Sequence, residues 1–157
     1  MKVGTMAAAP MQIPIRVSAN IPNATRADIA AREFTLICDE PPERHGNNEG
    51  MLPLEAFLAG YVACSNVIMN MIAAELKISF SGMTLKAVGY LDPRGYTGTE
   101  KLAAPFVRLR LTISGRVGGH TERLDDLKSQ LRWRCPAAAT FISAGTEVEE
   151  IWELVEA

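Results

Sequence analysis

Three cysteines, Cys38, Cys64 and Cys135, are the side chains best suited to covalent chemistry in this sequence. The thiolate is the nucleophilic form, so each is judged by what would favour an anion around it. Cys135 is followed by Pro136, and proline is at home in the first position of a helix. That places Cys135 at a helix N-cap, where unpaired N–H groups favour negative charge. Arg132 and Arg134 precede it and act in the same direction. The other reading of Cys135 is a buried thiol closing a helix–helix corner. Cys64 lies in the most apolar segment of the chain. Free cysteine there is commonly inert packing, and burial raises a thiol pKa, so a reactive Cys64 needs a positive partner delivered by the fold. Cys38 ends an apolar alternation beside the acids Asp39 and Glu40 and reads as structural. There is no Cys-x-x-Cys pair, and the histidines are His45 and His120, so neither a structural zinc nor another cofactor is expected.

Positioning these thiols falls to a mixed set of elements. Ile13, Ile15, Val17 and Ala19 alternate with other residues, the period of a strand, with Pro14 marking its beginning or edge. Residues 21–31 are ambiguous, and Phe34, Leu36 and Cys38 predict another short strand. The stretch from Asp39 to Gly50 is rich in Pro, Gly and Asn and reads as a loop. Pro53 to about Ile78 predicts a long helix, with Pro53 suited to the first turn and Glu55 to the positive end of its dipole. No charge stands between Glu55 and Glu75, so the segment is long enough to test as a membrane span. Ser65, Asn66 and Asn70, and the lack of a basic flank before it, favour a buried central helix instead. Met83–Leu91 and Val107–Ile113 predict two strands of a hairpin with a long loop. Thr121 is placed as the N-cap of a helix running to about Arg134, with Leu124, Leu127 and Leu131 on one face. A short helix from Pro136 ends at Gly145, and Val148–Val155 forms a last strand. The order predicts an α+β fold.

The 157 residues fit a single domain over 1–157, with 1–12 as a flexible arm. Hydrophobic residues at 48% and charged residues at 22% match a globular chain. A net charge of −2 offers no basic excess for phosphates, so nucleic acid is not an expected partner. The N-terminal apolar stretch is too short and broken for a secretory signal, which points to the cytoplasm, where thiols stay reduced.

Several blocks carry a resemblance. Arg32-Glu33-Phe34, then Asp39-Glu40-Pro41-Pro42-Glu43-Arg44, Gly50, Pro53-Leu54-Glu55, Leu58-Ala59-Gly60 and Cys64 are followed much later by Cys135-Pro136, Gly145, Val148 and Trp152. Their order and spacing resemble the OsmC/Ohr family of cysteine-dependent peroxidases. The resemblance implies an OsmC-like fold with strands wrapped around the central helix in an intertwined homodimer. It also implies reduction of organic hydroperoxides, an antioxidant role in oxidative stress. Cys64 would be the peroxidatic residue and Cys135 the resolving one, joined in a disulfide that an external thiol, with dihydrolipoyl dithiols as precedent, reduces. In the family an Arg holds the peroxidatic sulfur as thiolate and a Glu orients that Arg. Arg32 fits this pattern, with Arg26 and Arg44 as further candidates, and Glu55 matches the Glu of one branch. In the other branch the Glu stands one place earlier, where this chain has Leu54. On a straight helix Glu55 precedes Cys64 by about two and a half turns and faces the other way, so dipole compensation is its alternative role. His45-Gly46-Asn47-Asn48 departs from the family's usual Gly-Gly, and His45 reads as solvated loop or as part of a pocket mouth.

Three functions therefore compete. The first is a thiol peroxidase with a dry pocket formed by Phe57, Tyr61 and Met69, suited to fatty or aryl peroxides. The second is a non-catalytic dimer of the same fold binding a small apolar ligand. The third is a structural dimer with inert cysteines. Both cysteines at the family's positions favour the first.

Overall fold

The computed structural model describes residues 11–157. The expected arm, residues 1–12, lies almost wholly outside them. The chain divides into two compact units, one ending at Pro53 and the other running from Leu54 to Ala157.

In the first unit, β1 (Ser18–Asn20), β2 (Ala27–Ala31) and β3 (Phe34–Cys38) form an antiparallel sheet in the order β1-β2-β3. The alternation at Ile13–Ala19 yields only the three residues of β1, and Ile13, Ile15 and Val17 are exposed. Period two signals a strand only where there is a neighbour to pair with, and β2 reaches Ser18 but no further back. β2 resolves the ambiguous stretch and pairs with β3 from Ala27↔Cys38 to Ala31↔Phe34. The turn between them carries Arg32 in the left-handed region (φ 56). The loop after β3 is organised by Asp39, which is fully buried. Its carboxylate accepts N–H bonds from Glu40 (2.9 Å), Asn47 (3.0 Å) and Glu49 (3.2 Å). Burial pushes that carboxyl up, but these donors outweigh it and hold it below the usual value.

The second unit holds the long helix α1 (Pro53–Leu76), the strands β4 (Ile78–Leu91) and β5 (Phe106–Gly119), the helices α2 (Leu124–Arg134) and α3 (Pro136–Ser143), and β6 (Glu147–Glu156). The sheet order is β4-β5-β6, with β4 antiparallel and β6 parallel to the central β5. A parallel neighbour demands a crossover, and α2 and α3 supply it. β5 alternates as its sequence predicts from Leu109 to Ile113, while Val107 is exposed. Leu109, Leu111 and Ile113 are fully buried, while Arg110 reaches out to Glu149 at 2.9 Å. Gly119 (φ 77) sits where a side chain would run into the Lys77 carbonyl, letting the end of β5 close onto the end of α1.

One expectation is corrected here. Thr121 opens a 3-10 turn (Thr121–Arg123) rather than capping α2, and Arg123 occupies the cap with no side-chain bond. Helix α1 is apolar all round, but within one chain only a stripe of it is buried: Tyr61, Ser65, Met69, Ile72, Ala73 and Leu76. Steps of three and four make this one helical face. The opposite face leaves Val67 and Met71 exposed, and Leu54 and Phe57 in the first turn are exposed on the stripe's own side. By length and composition alone α1 could cross a membrane; its buried stripe belongs to the core it shares with β5, α2 and α3.

Candidate active site

The turn from α2 into α3 is built by Cys135-Pro136. Proline cannot continue a helix, and it drives the residue before it to an extended conformation. Cys135 accordingly has φ −74 and ψ 111, ending α2 through its N–H to the Leu131 carbonyl (3.0 Å) and opening α3 as N-cap. Because Pro136 has no N–H, the first free donor of α3 is the amide of Ala137. Ala137 hydrogen-bonds the sulfur of Cys64.

The two thiols are thus brought together across α1 and α3. Cys135 Sγ donates to Cys64 Sγ at 3.4 Å. Cys135 is fully buried, whereas Cys64 is half-buried. Burial pushes the Cys64 thiol up and outweighs the Ala137 N–H, which works in the opposite direction; negative charge on Cys135 would push it up further. The Ala137 amide is therefore aimed at Cys64 rather than Cys135, but the Cys64 thiol stays above its ordinary value. Neither flanking arginine is free to serve Cys135 as local rules suggest. Arg134 is bound by Glu75 (2.6 and 2.7 Å) and Gln130 (2.8 Å), and Arg132 donates to the Val148 carbonyl at 3.1 Å.

An aromatic cluster holds α3 against α1 and β5. Phe141 of α3 stacks with Phe57 (5.0 Å), Tyr61 (5.5 Å) and Phe106 (5.7 Å). Such pairs add about 0.5–1.5 kcal/mol each beyond area burial. The expected pocket of Phe57, Tyr61 and Met69 is not formed, since Tyr61 and Met69 are sealed in the core. The groove beside α1 is lined instead by Ala59, Val62, Ala63 and Asn66, with Met83 and Leu85 of β4.

Behind the thiols lie polar groups: Tyr61, expected in a pocket wall, and Ser65 and Glu150, for which no site role was expected. Ser65 Oγ stands 3.7 Å from Cys135 Sγ. Tyr61, one turn earlier, has a sealed phenol oxygen with no partner at full hydrogen-bonding geometry. Its Tyr61/Ser65 spacing was the available signal. Glu150 sits on the core side of β6 between Val148 and Trp152, and burial raises its carboxyl, opposed by the Trp152 N–H, Arg132 and Lys128. A carboxyl raised on folding stabilises the fold while protonated, and that contribution is lost as pH rises from the ordinary value of 4.5 through the folded one. Glu150→Gln is therefore expected to raise the urea midpoint at pH 7 and leave it nearly unchanged at pH 4. An unchanged midpoint at pH 7 contradicts this.

The remaining candidates have local placements. Arg32 lies exposed in the β2–β3 turn with its guanidinium over Phe34 at 5.0 Å, and it forms no ion pair among the described residues. Arg26 pairs with Asp28 (2.6 Å) and Glu49, and Arg44 with Glu40 (3.1 Å). Glu55 is exposed in the first turn of α1. His45 is exposed in the loop, in the left-handed region. Cys38 is buried and bridges to Met51.

Comparison with known proteins agrees with this architecture. A family model described as OsmC-like protein matches residues 46–150. No curated protein matches. Among solved structures, an OsmC-like protein from Mycoplasma pneumoniae superposes with TM-score 0.71 at 17% identity, covering 94% of this chain and 99% of that one. An organic hydroperoxide resistance protein from Elizabethkingia anophelis, with thiocyanate bound, gives TM-score 0.66 at 18% identity, covering 94% and 100%. A protein of the same description from Vibrio cholerae, with captopril in one of its active sites, gives 0.64 at 16%, covering 93% and 95%. At these identities the likeness is one of fold.

Proposed function

The chain belongs to the OsmC-like protein family, and from that premise we propose that it is a thiol peroxidase reducing organic hydroperoxides through Cys64 and Cys135. The observation that carries this reading is the sulfur pair at 3.4 Å, with Cys64 reachable and Cys135 sealed behind it. The Cys64 thiolate attacks the distal oxygen of ROOH. The O–O bond breaks, Cys64 becomes a sulfenic acid, and the alkoxide takes a proton to leave as ROH. The Cys135 thiol then attacks the Cys64 sulfur, and its proton leaves with the hydroxide as water. A disulfide needs a sulfur separation of about 2.05 Å, so closure asks for little backbone motion. An external dithiol, of the dihydrolipoyl type, restores both thiols.

Of the three arginines that fit the family pattern, we assign Arg32 to hold the Cys64 thiolate, with Glu55 orienting it; Arg26 and Arg44 already have carboxylate partners. The exposed apolar face of α1 supports a homodimer in which a second copy covers Val67 and Met71. Such a residue gains roughly 1.5–3 kcal/mol on full burial.

The test is stoichiometric. Reduced protein receives one equivalent of cumene hydroperoxide, free thiols are counted, and disulfides are mapped by peptide mass. Loss of two thiols per chain with a Cys64–Cys135 bridge, absent in Cys64→Ser, is expected. Survival of all three thiols removes the catalytic reading and leaves a binding or structural role.

A further inference from the structure

We propose that Ser65 is a positioning residue for the cysteine pair: its sealed hydroxyl donates to Cys135 Sγ and so keeps the Cys135 S–H turned toward Cys64. This rests on the reading of Cys64 and Cys135 as a redox pair and adds a residue to it.

The argument is one of proton counting. A thiol has a single proton. Cys135 gives its own to Cys64 Sγ at 3.4 Å. The Ser65 oxygen, 3.7 Å from the same sulfur, is then left as the donor in that contact. Ser65 and Cys135 are 1% and 0% exposed, so bulk water does not compete for either group. Tyr61, the next hydroxyl along the helix, is 1% exposed and its oxygen has no partner at full hydrogen-bonding geometry. Burial, with the nearby charges of Glu150 and Cys135, keeps its phenol protonated, and Ser65 is the hydroxyl that opposes this. The sequence Ser65, Cys135, Cys64 thus has its protons aligned in one sense, ending on the Cys64 sulfur, which also receives the Ala137 N–H.

Two consequences follow for chemistry. With Cys64 as thiolate, the Cys135 S–H is a donor to it, and Ser65 makes that donor stronger by withdrawing charge from the Cys135 sulfur. After Cys64 becomes a sulfenic acid, the Cys135 proton departs with the hydroxide as water. Ser65 stabilises the negative charge on Cys135 once its proton has left, before that charge passes to the departing hydroxide as the S–S bond forms. The overall step is one thiol plus one sulfenic acid giving one disulfide and one water.

Ser65→Ala removes only the hydroxyl, leaves a smaller side chain and improves helix propensity, so the fold is retained, which circular dichroism and the Tm check. The decisive measurement is the pH profile of Cys64 alkylation by iodoacetamide, followed by peptide mass in wild type and variant. The profile is expected to shift to higher pH, with alkylation on its rising limb about tenfold slower. Dimedone-trapped Cys64 sulfenic acid is expected to rise at the expense of the bridge. A packing role alone would move the Tm and not the titration midpoint. Superimposed profiles overturn the proposal, and if the wild type still forms the bridge, the peroxidase reading survives that loss. A shifted profile in a protein whose thiols ignore peroxide upholds Ser65 as a positioning residue and overturns the peroxidase reading instead.

Discussion

Under the proposed peroxidase activity, Cys135→Ser is expected to consume one equivalent of cumene hydroperoxide and then stop. This is the largest functional effect expected of a single substitution here. The variant keeps the accessible sulfur of Cys64 and the Ala137 N–H directed at it, so the first attack proceeds. It lacks the thiol 3.4 Å away that would close the disulfide, so Cys64 stays as sulfenic acid and cannot pass its oxidation to a dithiol. Steady-state turnover with a dithiol reductant should fall by roughly a thousandfold or more, as expected when one member of a catalytic unit is lost. Mass spectrometry should find one added oxygen at Cys64, trapped by dimedone. Continued turnover near the wild-type rate would show that an external thiol resolves Cys64 directly and that Cys135 is packing.

Leu131→Ala should give the largest loss of stability tied to the site. Leu131 and Leu127 are the buried residues of α2, with Leu131 1% exposed in the same core as α1 and β5. Its carbonyl also receives the Cys135 N–H that ends the helix. Truncating a buried leucine costs about 2–5 kcal/mol, depending on how far the cavity collapses. Urea unfolding should show a lower midpoint with an unchanged m-value. A loss well under the lower bound would mean that α2 is not anchored by this side chain. Because α2 leads directly into Cys135, the remaining folded protein should also close its disulfide more slowly.

Much of this protein was legible along the chain wherever a local rule met no competitor. The β5 alternation, the Cys135-Pro136 break and Gly145 as the end of α3 depend on side-chain period and proline or glycine geometry, and they appear where those rules put them. The resemblance carried by the two cysteine motifs led to the family. Local rules failed where a partner decides the outcome. Ile13–Val17 have the period of a strand but no pairing neighbour among the described residues, and Thr121 has the chemistry of a cap but sits in a 3-10 turn.

The division is clearest at the thiols. By itself the sequence determined that Cys135 stands at a helix start, that Cys64 lies in an apolar helix, and that the chain is α+β, because these follow from residues a few positions apart. Only the tertiary structure decided which sulfur receives the helix amide. Crossing α3 over α1 delivers the Ala137 N–H to Cys64 and seals Cys135 against Ser65, while burial still holds the Cys64 thiol above its ordinary value. Hydrogen bonds and burial act over a few ångströms of space, and the 71 positions between these cysteines carry no information about that distance until the chain has folded.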